Sequence, residues 1–474
     1  MPQKLWNRGF IALLITQFTV AFNDNVFRWL LVFIGIAYAK TIAEADTLRL
    51  LGVFFLVIPF LLWASIAGYV TDRFSRRTTV IWCKTVEMFL LAAGAAVICF
   101  GPTIADSTDH TGLPITIYLL LGILFLLGSQ STLFSPSKYG LIPDLVPTTS
   151  ISAANGIIMM LTMLAIVSGT VVGGYVFYWT TPHLHVLNAA NILEYIPCED
   201  AVPGGHHVWI TFLVLVGVCA IGLLTSFFIP KMNAVDPNAK FPKNPFLQTG
   251  KDIAILFSHK ALFWVAIASA FFWGIAALAQ NNIAKYGTEF LMVPPQDVTP
   301  LIAILTIGIG IGAVLCGYLS GKRIELGLVP IGAFVVGIFI LLLGFTPGHA
   351  TEIGRGIGTP FDPPYIFAAI VMLLVGLGAG LYDVPLAAYI QKNSPKAQRG
   401  RMLAAYNFCT FTSVILFSGI GLLAAVVFGQ LGEHPSLMVW IATGLMTLAV
   451  CAVLVYLYAV PLKAFIFRML KIAP

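Results

Sequence analysis

Four polar residues, Asn23, Asp24, Asn25 and Arg28, interrupt an apolar run close to the start of the chain, within Phe18 to Leu31. Their types suit ligand binding: a carboxylate can hold an ammonium, a guanidinium can hold a phosphate, and an amide can donate or accept. The run is long and apolar enough to cross a bilayer. A charge at the centre of such a span costs about 2.5–3.5 kcal/mol on insertion scales, so it faces a bundle interior or a watery cavity. Asp24 and Arg28 are four apart and share a helix face, which also allows a purely structural ion pair. About 250 residues later the theme returns as Gln280-Asn281-Asn282-Ile283-Ala284-Lys285, as internal repeats would give. Asn281 stands where Asp24 stood, and Lys285 where Arg28 stood. The expectation is two polar patches, one per half, facing one cavity.

Composition identifies what must position them. Of 474 residues, 59% are hydrophobic and 10% charged, with a mean hydropathy of +0.93. Soluble proteins carry about 25% charged residues, so the chain reads as an integral membrane protein. Its length allows about twelve spans of ~20 residues. These fall near 9–39, 47–70, 78–100, 114–134, 150–179, 207–230, 260–290, 299–320, 328–346, 365–390, 402–428 and 437–460. Several are long enough to imply tilt or bending, with Pro59, Pro136 and Pro385 as candidate bend points. The first apolar run follows Lys4 and Arg8, is too long for a signal peptide and lacks a small-residue cleavage site, so it reads as an uncleaved span.

The net charge of +6 does not indicate nucleic-acid binding, because the basic residues flank the spans. Most fall in loops on one side, which places both termini in the cytoplasm. The stretch from Lys231 to Lys260, rich in lysine and proline, reads as a partly helical connector on the membrane surface. The resulting organisation is a six-helix bundle over 1–230, a cytoplasmic linker over 231–259, and a second bundle with a short cytoplasmic tail over 260–474. Gly68-Tyr69-Val70-Thr71 reappears as Gly317-Tyr318-Leu319-Ser320, and Pro136 as Pro385, at a shared offset, consistent with weak internal symmetry. The longest external loop runs from Thr180 to His206. It holds Cys198, with the other six of the seven cysteines in apolar segments, so no disulfide framework is implied.

The loop Gly68-Tyr69-Val70-Thr71-Asp72-Arg73-Phe74-Ser75-Arg76-Arg77 resembles the signature loop of the major facilitator superfamily, with serine in place of the usual second glycine. Asp72 can sit near a helix N-terminus of the other half, while Arg73, Arg76 and Arg77 meet carboxylates or lipid phosphates, latching one conformation. The competing reading is a plain positive-inside loop. Two further stretches narrow the likeness: Phe22-Asn23-Asp24-Asn25 with Phe27 and Arg28, and Phe134-Ser135-Pro136-Ser137-Lys138-Tyr139-Gly140 followed by Asn155-Gly156. Together they resemble the lysophospholipid transporter family, more closely the transporter half of proteins fused to an acyltransferase and an acyl-carrier-protein ligase. Phe271-Phe272-Trp273-Gly274 is the best anchor in the second half.

That resemblance implies an all-α membrane protein of twelve transmembrane helices in two pseudo-symmetric six-helix bundles. It implies import of lyso-phosphatidylethanolamine and related one-chain phospholipids across a bacterial inner membrane, with reacylation by a separate cytoplasmic acyltransferase. Asp24 falls on the family's headgroup-binding acid and Lys138 on a lysine of the Ser-Pro-x-Lys-Tyr-Gly run. Where the family has an arginine in span seven, this chain offers Gln280, Asn281 and Asn282, with Lys285 one turn on. From the residues themselves, Asp24 suits an amine, and Arg28 or Lys285 a phosphate. Aromatics such as Phe18, Phe22 and Phe33 suit an acyl tail or simple helix packing.

Other polar positions have weaker readings. Glu87 and Lys84 can pair; Lys84 is close enough to the interface to snorkel, and Glu87 is a candidate proton or cation site. Asp383, beside Tyr382 and Pro385, serves a cavity or gate, or else helix packing. Lys392, Lys396, Arg399 and Arg401 suit orientation and anionic-lipid contact. Four histidines in the outer loop match no metal-site spacing. No acyltransferase motif, phosphate loop or nucleophile-base pair occurs, so no enzyme and no cofactor is expected. The expected activity is alternating-access transport of a lysophospholipid. The competing readings are a proton-coupled transporter of a small amphipathic solute and a membrane-bound lipid-modifying enzyme.

Overall fold

A computed structural model describes residues 4–38, 42–104, 115–180, 208–293, 295–347, 358–431 and 434–470. The long external loop, with its histidines and Cys198, lies outside these. The described residues form helices throughout, with no strand among them. In the first half these are α1 (Arg8–Tyr38), α2 (Ile42–Leu62), α3 (Ala64–Arg73), α4 (Arg76–Ile104), α5 (Ile115–Leu145), α6 (Ile151–Thr180) and α7 (Val208–Ser226). A connecting helix, α8 (Pro245–Ser258), precedes α9 (Lys260–Lys285), α10 (Pro295–Ser320), α11 (Leu328–Leu343), α12 (Pro363–Asn393), α13 (Arg399–Leu431), α14 (Pro435–Leu457) and α15 (Ala459–Met469).

Among the described residues nine helices are long and apolar enough to cross a bilayer, and the α2–α3 pair makes a tenth. The shorter apolar helices Leu213–Ser226 and Leu328–Leu343 stand in the places of the remaining two expected spans. The α2–α3 pair bends by 58° at Trp63, one turn after Pro59. Proline supplies no N–H to the preceding turn, which weakens the ladder there. Pro136 and Pro385, also candidates for bends, sit inside the continuous helices α5 and α12.

Each half packs on itself. Phe22, Val26, Phe27, Leu30 and Leu31 of α1 form one core with Leu91 of α4, Leu120, Leu124 and Leu127 of α5, and Leu215 of α7. The second half has its own core, in which Tyr286, Trp440, Tyr382 and Phe272 are the large buried rings. A bilayer supplies no hydrophobic drive between helices, so close fit and polar contacts hold such bundles together.

One fully buried ion pair lies within α4, on the face turned towards α7. Lys84 Nζ lies 2.8 Å from Glu87 Oε1, and neither side chain is accessible. Lys84 therefore does not snorkel. Its stem lies against Gly222 of α7, where a Cβ would come within 2.7 Å of Lys84 Cε and 2.9 Å of its Nζ. The absent side chain at Gly222 makes the room that keeps the lysine inside.

The connector helix α8 begins at Asn244, whose side chain accepts from the Leu247 amide, with Pro245 in the first turn. These are strong helix-start signals. It turns Thr249, Asp252 and Leu256 inward and leaves Phe246 and Leu247 exposed. Burial pushes the Asp252 carboxyl above its ordinary value, opposed by the Gln248 hydrogen bond and the Arg401 charge.

Removing one partner of a buried pair leaves the other uncompensated, at about 3–5 kcal/mol. Lys84→Ala should therefore lower the thermal midpoint of the detergent-solubilised protein sharply. The double variant Lys84→Met/Glu87→Leu should regain most of the loss. Equal losses in the single and double variants would contradict mutual compensation.

Candidate functional site

The two bundles meet around a cavity of about 200 Å³ near the middle of the helices. Two acids and one lysine line it: Asp24 from α1, Asp383 from α12 and Lys138 from α5. Gln17, Ser131, Ser135, Gln391, Tyr406 and Asn407 add uncharged polar groups, and Phe60, Phe134, Trp273 and Phe411 add aromatic surface.

Asp24 is held from one side only. Its Oδ2 accepts from the Ser131 hydroxyl at 2.9 Å, while Oδ1 is buried with no hydrogen-bond partner. An unpaired buried carboxylate oxygen is costly unless a ligand donates to it. Lys138 is also buried. Its ammonium lies 4.3 Å from the centroid of the Tyr139 ring and 5.9 Å from that of Phe134. Among the described residues no carboxylate comes within 4 Å of it. The π-faces hold the cation and leave its donors free for an anion.

Asp383 is satisfied differently. The Ser269 hydroxyl donates to its Oδ1 at 3.2 Å, and the Trp273 side chain lines the same cavity. Because Ser269 gives its proton to Asp383, the short contact between Ser269 and Tyr406 has Tyr406 as donor. A relay from Tyr406 of α13 through Ser269 of α9 thus ends on this acid.

The rest of the first polar patch points elsewhere. Asn23 donates to the Leu215 carbonyl of α7 at 3.2 Å, and Asn25 to the Ala21 carbonyl of its own helix at 2.8 Å. Arg28 makes no ion pair with Asp24. It donates to Asn25 Oδ1 at 3.1 Å and lies over the Trp29 ring, because its side chain runs back along α1 while Asp24 turns across to α5. Gln280, Asn281 and Lys285 do not join the cavity either. All three are exposed, near the end of α9 far from the side where α1 begins, and it is Asn282 that turns inward, donating to the Ser436 carbonyl. The expected second patch therefore does not face Asp24. Glu87 also lies off the cavity, in its pair with Lys84.

The side where α1 begins, the near side, is closed by contacts between the bundles. Asp72 Oδ1 accepts from the Gly400 amide at 2.8 Å and Oδ2 from the Arg401 amide at 3.2 Å. A carboxylate there complements the free N–H groups at the start of α13. A Cβ at Gly400 would lie 2.6 Å from Asp72 Oδ1, so glycine permits the approach. Asp144 of α5 forms ion pairs with Arg76 and, at 3.5 Å, with Arg399 of the other bundle. Arg77 donates to the Phe227 carbonyl, and Arg73 is half-buried.

Closer to the cavity, Asn155 of α6 and Gln391 of α12 form a reciprocal amide pair. Each side chain donates to the other, at 2.8 and 2.7 Å. Asn407 donates to Ser135 at 2.9 Å, and Phe60 stacks on Phe411 at 3.9 Å between centroids. Ser131, Ser269, Tyr406, Gln391 and Asn407 were not singled out from the sequence. Their only signal is a polar side chain inside an apolar run, which many helical serines and threonines share.

A bundle pair around a charged central cavity, sealed on one side by an acid-to-helix contact, is a transporter architecture. The Major Facilitator Superfamily model matches residues 13–418, and the chain belongs to that family. It is a membrane transporter and not an enzyme. Among its relatives, the "Lysophospholipid transporter LplT" of Salmonella heidelberg (strain SL476) is 24% identical over 431 residues, covering 90% of each chain. That of Photorhabdus laumondii is 24% identical over 425 residues, covering 88% of this chain and 89% of its own. Similar solved structures include the transporter FucP in an outward conformation, with a TM-score of 0.65 at 16% identity over 95% of this chain and 97% of that one. A bacterial homologue of ferroportin in an outward-facing state gives 0.63 at 14% over 94% and 98%.

The amide pair generates a test. Two neutral hydrogen bonds contribute about 0.5–1.5 kcal/mol each. Asn155→Ala should therefore raise, by about tenfold, the rate at which a cysteine at Ser135 is labelled from the near side, in a background without the native cysteines. An unchanged rate would mean the pair does not close that path.

Proposed function

We propose that this transporter moves lysophospholipids, of the lyso-phosphatidylethanolamine type, from the outer to the inner leaflet of a bacterial inner membrane. One observation carries the reading. Among the described residues, a carboxylate with an open oxygen and a lysine ammonium with no carboxylate within 4 Å share one cavity. A zwitterionic headgroup presents the complementary pair, an ammonium for Asp24 and a phosphate for Lys138. The cavity of about 200 Å³ suits a headgroup, and the aromatic surface of Phe60, Phe134, Trp273 and Phe411 suits the glycerol and the start of the acyl chain. The relatives named as lysophospholipid transporters support the same substrate class.

In this reading the near side is the cytoplasm, and both termini lie there. Residues 1–230 and 260–474 move as two units joined by 231–259, alternately exposing the cavity to the two sides. The Asp72 contact with α13, the Arg76–Asp144–Arg399 cluster and the Asn155–Gln391 pair form the latch that must open to release the lipid inward. Arg73 and Arg77 flank that latch. A separate cytoplasmic acyltransferase would consume the product.

The test is uptake of labelled lyso-phosphatidylethanolamine by spheroplasts making the protein, with and without a protonophore. Asp24→Asn and Lys138→Met should each reduce uptake by more than about tenfold, the scale of a lost buried charge contact, at unchanged membrane levels. Wild-type uptake no higher than in cells lacking the protein would refute the reading.

A further inference from the structure

Arg28 is the cation of the first polar patch, and the headgroup pairing above leaves it without a role. We propose that it forms an outer phosphate site, which receives the lysophospholipid phosphate on the side of Asp24 away from the latch before that phosphate passes to Lys138. This rests on the lysophospholipid reading and adds an entry station to it.

Three observations support the assignment. The first is the state of the guanidinium. Arg28 lies within a span, where a charge is costly, yet among the described residues no carboxylate comes within 4 Å of it. Arg76, Arg399 and Arg468, all at helix ends, have such partners in Asp144 and Glu325. Arg28 donates to Asn25 Oδ1 at 3.1 Å and lies 5.5 Å from the centre of the Trp29 ring. A guanidinium presents a planar fork of N–H donors that fits a phosphate, and most of that fork remains open here.

The second is where it points. The Asn25 side chain donates to the Ala21 carbonyl at 2.8 Å, which fixes the amide with its oxygen presented to Arg28. That contact draws the guanidinium back along α1 towards the level of Asp24. A long cation held only by its membrane position would reach outward to the headgroups instead. Asn25 is thus a positioning residue for Arg28, and the pair is set before a ligand arrives.

The third is the order of charges. α1 runs away from the near side, so the Arg28 backbone lies about 6 Å farther from it than that of Asp24. α5 runs the opposite way and ends beside the start of α1, where the Asn7 side chain donates to the Leu145 carbonyl. Ser131 of α5 holds Asp24, and the Lys138 backbone follows about 10 Å closer to the near side. With that side latched, a headgroup enters from the other and meets Arg28, Asp24 and Lys138 in turn. Its ammonium can stay on Asp24 while its phosphate passes from one cation to the other, so neither charge descends unpaired.

The experiment measures association and dissociation rates of fluorescent lyso-phosphatidylethanolamine and of an acyl-matched monoacylglycerol, which has no phosphate. It uses the purified full-length protein in maltoside micelles, where no other phosphate-bearing lipid competes. Arg28→Gln should slow association of the lysophospholipid by about tenfold, the scale of a lost entry charge, and leave the monoacylglycerol unchanged. Arg28→Lys should recover most of the rate. Lys138→Met should show the opposite signature, with association near wild type and dissociation at least about tenfold faster, because the headgroup arrives and is not held. Asn25→Ala frees the guanidinium while keeping its charge and should slow association about threefold, which keeps the test decisive if Arg28→Gln does not fold. An association rate unchanged in Asn25→Ala and in any folded Arg28→Gln, or slowed equally for the monoacylglycerol, would overturn the inference. If wild type binds the lysophospholipid no better than the monoacylglycerol, the lysophospholipid reading itself fails and the outer site with it, a result distinct from phosphate-dependent binding that ignores Arg28.

Discussion

A lysine ammonium buried between two helix bundles, with no carboxylate within 4 Å among the described residues, is the constraint around which this structure is arranged. A charge removed from water needs a counter-charge, hydrogen bonds or polarisable surface. Lys138 has only the last, in the rings of Tyr139 and Phe134. That leaves its donors available where Asp24 also keeps an oxygen open. By contrast Lys84, also fully buried, is matched to Glu87 at 2.8 Å and has nothing to offer a ligand. The same residue type, buried to a similar degree, serves packing in one place and is poised for binding in the other, and the partner decides which.

The near-side closure follows a related logic. It joins the bundles with contacts that are individually modest: two backbone amides on Asp72, ion pairs sharing Asp144, and a neutral amide pair between Asn155 and Gln391. None buries an isolated charge, so separating the bundles exposes groups that water can solvate. Contacts of this kind hold one state without making the other inaccessible, as a transport cycle requires.

Much of the fold was legible in the sequence because a bilayer permits few structures: apolar runs of sufficient length must be helices, and charges within them are conspicuous. Asp24 and Asp383 stood out for that reason, whereas Lys138 lay beyond the expected end of its span at 134 and was reached only through the family resemblance; the helix runs on to Leu145. What failed was the assignment of faces. Asn281 and Lys285 echo Asp24 and Arg28 in order, but spacing alone does not say which side of α9 turns inward, and Asn282 occupies that side instead. The depth of Lys84 depended on Gly222, a residue of another helix. Ser131 and Ser269 were invisible because a helical hydroxyl ordinarily bonds its own backbone four residues back, as Thr132, Thr162 and Thr306 do here. Only the tertiary neighbours distinguish a hydroxyl that supports a carboxylate from one that does not.

The most direct measurement is an experimental structure of the protein with lyso-phosphatidylethanolamine bound. The account predicts the phosphate within hydrogen-bonding distance of Lys138 Nζ and the ammonium on Asp24 Oδ1, with the Asp383 carboxylate still held by Ser269. A headgroup seated away from both Asp24 and Lys138 would contradict it.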